Sequence, residues 1–561
     1  MSVFIGYPSF MAYQMMKGKK GNNDGFPSIP GMIARYSASG LTNEQMAANP
    51  VWVDKTGNGH DLQMKNFAWG GMSGVGGYTE NYGSNKWYKV SSRIDATWTY
   101  KSFNARSIKD NGLAQLFYQS LLSDTGFRVL SCTIKVSGLT DGQGIEYVSN
   151  GTQQSVIMRI ENDGIYHLPS FYFGAKNAYH GFRFLKLQES CNITIEQLPL
   201  YPGALVFDGV DDYGVCENFP ILTKEKGYTV VALRRWIEEK NSITALVSNS
   251  KNWNQDGAFV FEYNNLENNY PNLEISFGSN TGLGREKSSF TYQTSKLYNG
   301  KEIKFGEFLG SDKLTVAKAA ENLSPNSNVA IWELVFLDHD ATEEELTKIK
   351  DYFVKTYPWL FPYQAWTVTG KTNEDEDRAT IANITGNGND LVLSNFGFAE
   401  GSGYNEEGEY AGYLVTDGVD DEIVSAKPIQ FADKFTIVGD WKFMEDRNDN
   451  AGLLKSNQIY IYNATTGMRI YLKQGSKNYP FSCKKINALT SDGWVYDEKW
   501  DKYKVYPIGS DIDISSRLFL GFYGSNFTKI ALKNLGIYND QLLSKDDCIK
   551  AYNYLQTLKA K

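Results

Sequence analysis

Two short phrases each occur twice in this sequence, in the same order, and they constrain the fold more than any other feature. Thr56–Leu62 reads Thr-Gly-Asn-Gly-His-Asp-Leu and returns at Thr385–Leu391 as Thr-Gly-Asn-Gly-Asn-Asp-Leu. Asp208–Asp212 reads Asp-Gly-Val-Asp-Asp and returns unchanged at Asp417–Asp421. Glycine, asparagine and aspartate favour tight turns, so both phrases are expected to join strands. Their repetition in one order indicates a duplicated domain.

Composition and patterning favour strands over helices in both copies. The 561 residues include 52 glycines and 36 tyrosines, and aromatic residues make up 14% of the chain. Short apolar runs bounded by turn residues are typical of β-sheet proteins. The runs that predict strands are 228–233, 258–263 and 329–337 in the first copy, and 435–441, 458–463, 468–473 and 517–523 in the second.

Each copy ends in a segment that predicts a helix. Thr342, followed three residues later by Glu345, forms a capping-box pattern, and Ser544 opens the corresponding segment of the second copy. Apolar residues then recur at helical spacing. The apolar faces are Leu346, Ile349 and Phe353 in the first helix, and Cys548, Ala551, Tyr552 and Leu555 in the second.

The two copies differ in length between their phrases. Thr56 and Asp208 are 152 positions apart, whereas Thr385 and Asp417 are 32 apart. The first copy therefore carries about 120 additional residues, which is enough for a small separate domain. Strand-like runs within this insertion predict a β-sandwich. These runs are 132–136, 155–160, 182–187 and 193–195.

The order of these motifs resembles the laminin-G/concanavalin A-like jelly-roll superfamily, in which a phrase close to Phe207–Tyr213 begins a core strand. The resemblance implies an all-β chain with two antiparallel jelly-roll sandwiches in tandem, each closing with a short helix. A small β-sandwich interrupts the first. The expected boundaries are an N-terminal docking arm at 1–30, a first jelly roll at 31–89 and 203–360, an inserted β-sandwich at 90–202, and a second jelly roll at 363–561.

The layout also resembles virion proteins of tailed bacteriophages that infect gut Bacteroides-type bacteria. Two phrases carry this resemblance: Gly31–Tyr36 at the entry of the first copy, and Cys191–Gln197 at the end of the insertion. It implies a head or tail fibre or a capsid decoration that assembles with copies of itself and with other virion proteins. Such a protein is made in the host cytoplasm, and the first residues show no signal-peptide pattern.

Paired carboxylates, which glycosidases of this fold use, are not found in the sequence. Leu273–Phe277 contains one acid, and Glu374–Asp377 is a charged run without apolar alternation. The four histidines lack metal-ligand spacing. We therefore expect that the protein is not an enzyme and has no catalytic residues. A polysaccharide hydrolase is the third-ranked alternative, after a bacterial surface protein that binds carbohydrate.

No cofactor or metal is expected from the motifs. The two Asp-Gly-Val-Asp-Asp phrases offer carboxylates that suit calcium, but aspartates also favour such turns for backbone reasons, and turn formation is the favoured interpretation. Five cysteines without close spacing predict buried free thiols rather than a zinc site, and a Cys132–Cys191 disulfide is the alternative for those two. A net charge of −8 argues against binding of nucleic acid, and no apolar run is long enough to span a membrane.

Two aromatic-rich segments are candidate interaction sites. The first is interleaved with aspartate and lysine and is a candidate for stacking on sugar rings of host-surface or mucus glycans. An excursion covered by its own side chains is the alternative. The second lies in the N-terminal arm and predicts docking on a partner subunit, with packing against its own domain as the alternative. The residues are Trp494, Tyr496, Trp500, Tyr503 and Tyr506 in the first segment, and Phe4, Tyr7, Phe10 and Tyr13 in the arm.

Overall fold

The structure is a computed structural model, and its two compact units do not follow the order of the chain. It describes residues 24–83, 87–89, 94–107, 112–119, 127–129, 131–150, 154–169, 171–173, 179–187, 191–223, 225–238, 244–249, 260–262, 288–302, 311–320, 326–406, 410–445, 452–455, 459–464, 467–472, 475–478, 485–504, 517–523 and 526–560. One unit combines 1–77 with 203–356, and the other combines 78–202 with 357–561. The insertion therefore forms one unit with the second copy, although it interrupts the first.

Strands account for most of the regular structure in the described residues. The strands before the insertion are β1 (Met32–Ser37), β2 (Val51–Trp52), β3 (Leu62–Lys65) and β4 (Gly74–Val75). The segment 78–202, which contains the predicted insertion and is called the insertion below, contributes β5 (Trp87–Lys89), β6 (Ile94–Trp98), β7 (Ser102–Ser107), β8 (Gly112–Gln119), β9 (Phe127–Val129), β10 (Cys132–Ser137), β11 (Gly144–Asn150), β12 (Gln154–Ile160), β13 (Gly164–Leu168), β14 (Phe171–Phe173), β15 (Tyr179–Leu187) and β16 (Asn192–Gln197).

The remaining strands complete the two copies. The first copy continues with β17 (Leu205–Asp208), β18 (Tyr213–Cys216), β19 (Thr229–Glu238), β20 (Val247–Ser248), β21 (Val260–Phe261), β22 (Phe290–Thr294), β23 (Leu297–Tyr298), β24 (Lys301–Glu302), β25 (Leu314–Val316) and β26 (Asn328–Leu337). The second contains β27 (Gln364–Thr367), β28 (Thr380–Ile381), β29 (Leu391–Ser394), β30 (Gly403–Asn405), β31 (Tyr413–Val415), β32 (Glu422–Ser425), β33 (Phe435–Phe443), β34 (Gly452–Lys455), β35 (Ile459–Ala464), β36 (Gly467–Leu472), β37 (Gly475–Asn478), β38 (Ile486–Thr490), β39 (Trp494–Asp497), β40 (Lys502–Lys504), β41 (Phe519–Leu520), β42 (Phe522–Tyr523), β43 (Asn526–Phe527) and β44 (Ile530–Asn539).

In the first copy, two antiparallel sheets share one core. The larger sheet has the order β24-β23-β22-β19-β26-β17-β4, with β1 also paired to β26, and the smaller has the order β2-β3-β18-β25-β20-β21. Side chains alternate between the two faces of a strand, so each sheet directs every second residue inward. Tyr36 and Phe336 enter the core from the larger sheet, and Trp52 and Val316 enter it from the smaller.

The second copy repeats this arrangement strand for strand. Its larger sheet has the order β40-β39-β38-β33-β44-β31-β30, with β27 paired to β44, and its other sheet begins β28-β29-β32-β41-β34-β35 and extends through β36 and β37. A bulge interrupts the long pairing at Leu233/Arg234 in the first copy and at Asp440/Trp441 in the second. Shared strand order and a shared bulge are what a duplicated domain produces.

The repeated Thr-Gly-Asn-Gly phrase forms the same turn in both copies. Asn58 donates from Nδ2 to the Ile33 carbonyl at 2.8 Å, and Asn387 donates from Nδ2 to the Tyr363 carbonyl at 2.6 Å. Gly57 lies at a φ of +79°, which a side chain disfavours. The turn is thus attached to the first strand of each copy, as its local chemistry predicts.

The insertion contains two five-stranded antiparallel sheets around its own core. Their orders are β13-β10-β16-β7-β6 and β12-β11-β15-β8-β5, and β9 pairs separately with β14. Ile134 and Phe103 enter the core from the first sheet, and Tyr147 and Phe182 enter it from the second. A core of this kind is what allows a segment of this length to order itself within a larger chain.

The described residues contain three α-helices: α1 (Asn43–Ala48), α2 (Glu343–Thr356) and α3 (Lys545–Gln556). The capping predicted for α2 is present, because Thr342 Oγ1 accepts from the Glu345 amide at 3.2 Å and Glu345 Oε2 accepts from the Thr342 amide at 2.9 Å. Ser544 caps α3 by accepting from the Asp547 amide. The short α1 was not expected from the sequence. None of the described helices is long and apolar enough to cross a membrane.

Most predicted strands are present, with boundaries that differ by a few residues. The run 329–337 corresponds to Asn328–Leu337, and 193–195 corresponds to Asn192–Gln197. The run 517–523 is divided into β41 and β42. The fold is mostly β, with several antiparallel sheets, as expected. Cys132 and Cys191 are free thiols, as are Cys216 and Cys548.

Candidate functional site

Helix α3 of the second copy contacts the insertion within the second unit. Thr133 donates from Oγ1 to Asn553 Oδ1 at 2.7 Å, and Asn553 donates from Nδ2 to the Pro199 carbonyl at 3.4 Å. The ring of His167 meets the ring of Tyr552 edge to face, with centroids 5.7 Å apart. Burial lowers the pKa of His167 to about 3, so its imidazole is neutral at ordinary pH.

A buried ion pair lies beneath the same helix. Lys485 Nζ is 2.7 Å from Asp440 Oδ1 and donates to the Tyr552 hydroxyl at 3.0 Å. The Tyr413 hydroxyl donates to Asp440 Oδ2 at 2.9 Å, and Gln556 donates to the same oxygen at 3.2 Å. Burial acts to raise the pKa of Asp440, but the ammonium groups of Lys485 and Lys533 together outweigh it and hold that pKa well below its usual value. The helix that contacts the insertion is thereby fixed to the sheet.

A cleft of about 660 Å³ lies where the insertion meets α3 and the loop after β39. Lys135, Ser137 and Asp163 line it from the insertion side. Its apolar wall consists of Ile165, Leu198, Pro199, Pro202 and Ile549. Its remaining polar residues are Lys499, Asp501, Lys545, Asp546, Lys550 and Asn553. Volumes of this size are typical of small-molecule sites.

Several polar groups of the cleft have no partner of their own. In the part of the chain that the structure describes, the ammonium groups of Lys135, Lys499 and Lys545 make no ion pair, and neither do the carboxylates of Asp501 and Asp546. Free donors and acceptors beside an apolar wall suit a ligand that carries both hydroxyl groups and apolar faces.

Other polar groups of the cleft are already bonded within the protein. Asp163 Oδ2 accepts from the Gly138 amide at 2.9 Å, and its Oδ1 accepts from the Leu139 amide at 2.8 Å. Lys550 Nζ lies 3.1 Å from Asp547 Oδ1 and 4.2 Å from the centroid of the Trp359 ring. These groups form part of the wall of the cleft. The groups without ion pairs are the ones that can bind a ligand.

The structure places the predicted aromatic segment beside the cleft but turns much of it inward. Tyr496 and Trp500 are each 2% exposed, and the Trp500 ring meets the Tyr552 ring at 5.7 Å. Tyr503 packs against the core, and its hydroxyl donates to Asp497 at 3.2 Å. Trp494 is half-buried, and Lys502 Nζ lies 3.5 Å from its ring centroid. Their role in binding glycans therefore stays a prediction.

Some predicted site residues lie outside the described part of the chain. Tyr506 is one of them, and so are Phe4, Tyr7, Phe10 and Tyr13 of the docking arm. The residues that the sequence missed are the cleft residues of the insertion and of α3. Of the cleft residues, only Lys499 and Asp501 lie in the predicted aromatic segment, in which charged residues alternate with aromatic ones.

The two Asp-Gly-Val-Asp-Asp phrases form matching turns with three carboxylates each. Asp212 accepts from the Asp208 amide at 3.0 Å and from Ser73 Oγ at 3.0 Å, and Asp421 accepts from the Asp417 amide at 2.7 Å and from Ser402. Burial raises the pKa of Asp212 to about 7 and that of Asp421 to about 6. These bonds account for the buried aspartates as turn-forming residues.

A further charged cluster is buried in the first unit. Glu262 accepts from Arg234 Nε and Nη2, both at 2.6 Å, from Trp236 Nε1 at 2.8 Å and from the Tyr298 hydroxyl at 3.0 Å. The φ of Glu262 is +51°, an uncommon value for a residue with a side chain. Each carboxylate oxygen of Glu262 accepts two hydrogen bonds from the protein. We therefore interpret the cluster as a structural ion pair.

Comparisons with known proteins identify no family for this chain. No family model matches it. No curated protein sequence matches it either.

Solved structures that match include two groups. The receptor-binding domain of botulinum neurotoxin C/D mosaic serotype matches with 10% identity and a TM-score of 0.26, over 34% of this chain and 50% of that one. The receptor-binding domain of botulinum neurotoxin type G matches with 12% identity and a TM-score of 0.20. The chain thus spans about half the length of these domains.

The second group consists of an enzyme, which corrects one expectation. Trypanosoma rangeli sialidase in complex with sialic acid matches with 10% identity and a TM-score of 0.25, over 84% of both chains. The prediction that this protein is not an enzyme is wrong as stated, because the matches that span most of its length are to an enzyme. At this TM-score the similarity transfers no activity or substrate to the chain. These structures show no similarity to a phage protein.

Proposed function

We propose that this protein binds glycans, and that the cleft between the insertion and α3 is the binding site. The observation that carries this proposal is the set of free donors and acceptors that line one cavity. Lys135, Lys499 and Lys545 offer ammonium donors, and Asp501 and Asp546 offer carboxylate acceptors. Sugar hydroxyls both donate and accept, so they require this combination.

The apolar side of the cleft supports the same ligand class. Ile165, Leu198 and Ile549 present aliphatic carbon to the cavity. A pyranose ring carries C–H groups on its faces, and their contact with aliphatic side chains removes apolar surface from water. Trp494 and Tyr503 remain predicted additional contacts, because the segment that contains them continues into Lys499 and Asp501 of the cleft.

A glycan array probed with the full chain tests this proposal. Ser137→Trp places a large side chain in the cleft and is expected to reduce binding to background. Gln430→Trp is the matched control, because Gln430 is exposed in the same unit and does not line the cleft. Circular dichroism checks that both variants fold. Full binding by a folded Ser137→Trp variant would place the site elsewhere, and silence across the array would refute glycan binding.

We also propose that the two matching sheet pairs are concanavalin A-like jelly rolls in tandem. Their common strand order and the core that the paired sheets share in each copy support this assignment. Antiparallel sheets that pack face to face around alternating inward residues define such sandwiches. An experimental structure in which either sheet pair closes into a barrel would contradict it.

The virion setting is proposed from the sequence resemblance alone. In this proposal the protein is displayed on a phage particle as a symmetric assembly of identical chains, docked through its N-terminal arm to other virion proteins. Many weak glycan sites on one particle would then act together, because a second contact forms at high effective concentration. Mass spectrometry of purified particles should detect the chain, and particles that lack it would refute the setting.

A further inference from the structure

We infer that the ligand of the cleft is an acidic glycan, a saccharide that bears a carboxylate or sulfate group among its hydroxyls. This inference rests on the proposed glycan-binding function and names its substrate class. The feature behind it is the convergence of Lys135, Lys499 and Lys545 on one cavity.

The three lysines come from separate elements. Lys135 lies on β10 of the insertion, Lys499 lies in the loop between β39 and β40, and Lys545 is the first residue of α3. In the described part of the chain none of them makes an ion pair, whereas Lys485 pairs with Asp440. Like charges gathered without partners repel one another, and an anion placed among them relieves that repulsion.

Not all carboxylates of the cleft are available to a ligand. Asp163 is held by two backbone amides of its own domain. Asp546 lies in the first turn of α3, where a negative charge is favoured by the helix dipole. Its carboxylate oxygens and those of Asp501 accept no hydrogen bond from the described part of the protein. The three lysines therefore face two carboxylates that are free to meet a ligand.

The position of Lys545 strengthens the argument. A positive charge at the start of a helix is disfavoured, because the unpaired amides there carry partial positive charge. The sequence nevertheless places a lysine at this position, facing the cleft, in a chain whose net charge is −8. Residues that violate a local preference without a structural gain are candidates for function.

The aspartates restrict the kind of anion that fits. Asp501 and Asp546 would repel a polyanion that filled the cavity, but they can accept hydrogen bonds from hydroxyl groups. A ligand with one acidic group next to several hydroxyls satisfies both sets of side chains. This requirement describes an acidic sugar residue and excludes a nucleic-acid backbone.

An array of matched oligosaccharide pairs tests the inference with the full chain. Each pair contains a carboxylated or sulfated glycan and its neutral parent. We expect binding to acidic members at least about tenfold tighter than to their neutral parents, and weaker binding as salt is raised. Equal binding to both members would overturn the inference and leave the proposed function standing. Absence of binding to either member would overturn both.

Charge-removal variants assign the effect to the cleft. Lys135→Gln, Lys499→Gln and Lys545→Gln should each weaken binding to acidic glycans about tenfold, with little effect on any neutral glycan that binds. Lys427→Gln is the matched control, since Lys427 is an exposed lysine of the same unit outside the cleft. Thermal unfolding verifies that the variants fold. Unchanged binding of the triple variant to acidic glycans would refute the assignment.

Discussion

The two copies share one strand order but differ in what joins the larger sheet to the closing helix. In the first copy Arg35 of β1 pairs with Glu333 of β26 at 3.1 Å and donates to the Tyr352 hydroxyl of α2 at 3.0 Å. In the second copy Asp440 of β33 pairs with Lys485 just before β38, and Lys485 contacts α3. The same architecture thus accepts a buried charge on different strands, provided that the charge has a partner.

The second difference concerns the insertion. It interrupts the sequence of the first copy, yet it forms one compact unit with the second. Asn553 of α3 contacts both Thr133 and the Pro199 carbonyl of the insertion, and the cleft lies at this contact. Helix α3, which closes the second copy, therefore also contacts the insertion. The following variants test how far the two copies have diverged.

The largest effect is expected from Asp440→Ala. This change leaves the buried Lys485 ammonium without its Asp440 partner and should lower the free energy of unfolding of the second unit by about 3–5 kcal/mol. Hydrogen exchange should show lost protection in α3 and unchanged protection in α2. Glu333→Ala is the matched change in the first copy. It should lower the protection of α2 and leave that of α3 unchanged. Unchanged protection of α3 in Asp440→Ala would show that this ion pair does not hold the helix.

The next largest effect is expected from a variant that weakens the contact between α3 and the insertion. Asn553→Ala removes the oxygen that accepts from the buried Thr133 hydroxyl, whose other partner is His167 Nδ1 at 3.2 Å, and should weaken the contact by about 1 kcal/mol. Limited proteolysis should then cleave the insertion faster, while the first unit keeps its wild-type rate. Asn162→Ala, at an exposed position of the insertion, is the control. Equal cleavage of Asn553→Ala and wild type would mean that other contacts dominate.

The repeated glycine turn should show that the copies are equivalent. Gly57→Ala and Gly386→Ala each introduce a side chain at a φ near +80°, with no atom within 4 Å of the new Cβ. Both should lower the free energy of unfolding by about 1 kcal/mol, purely through backbone strain. Gly397→Ala, at a glycine without positive φ, should be close to neutral. Clearly unequal effects at Gly57 and Gly386, measured by denaturant unfolding, would show that the turns differ.

The smallest effect is a difference in pH dependence between the acidic turns. Burial raises the pKa of Asp212 to about 7 from an ordinary value of 3.8, so the folded state retains this proton where the unfolded state has lost it. The stabilising contribution is complete below pH 3.8 and is lost as the pH rises through about 7. In the second copy the loss also begins above pH 3.8 but should be complete near pH 6, because the pKa of Asp421 is raised to about 6.

Asparagine variants measure this dependence. Asp212→Asn cannot ionise, so its thermal unfolding midpoint should rise relative to that of the wild type between pH 5 and pH 8. The relative gain of Asp421→Asn should level off about one pH unit lower, near pH 6. Asp211→Asn is the control, because Asp211 is exposed in the same turn. A parallel pH profile for Asp212→Asn and wild type would refute the raised pKa.

Features set by neighbouring residues could be predicted from the sequence. The cap of α2 requires only Thr342 and Glu345, and the run that forms β26 carries its own apolar pattern. The aromatic segment shows what neighbouring residues alone could not predict. Its composition suited sugar stacking, but Trp500 packs against Tyr552 from a helix about 50 residues later. Composition does not specify which side of a ring meets the core and which meets water.

The sequence by itself determined the duplication, the strand-rich character of the chain, the glycine turns and the closing helices, because each depends on the conformational preferences of a few adjacent residues. Only the tertiary structure decided that the insertion joins the second copy and that Lys135, Lys499 and Lys545 share a cavity. These residues are hundreds of positions apart at the extremes. Their proximity results from the packing of two separate cores, and no local pattern encodes it.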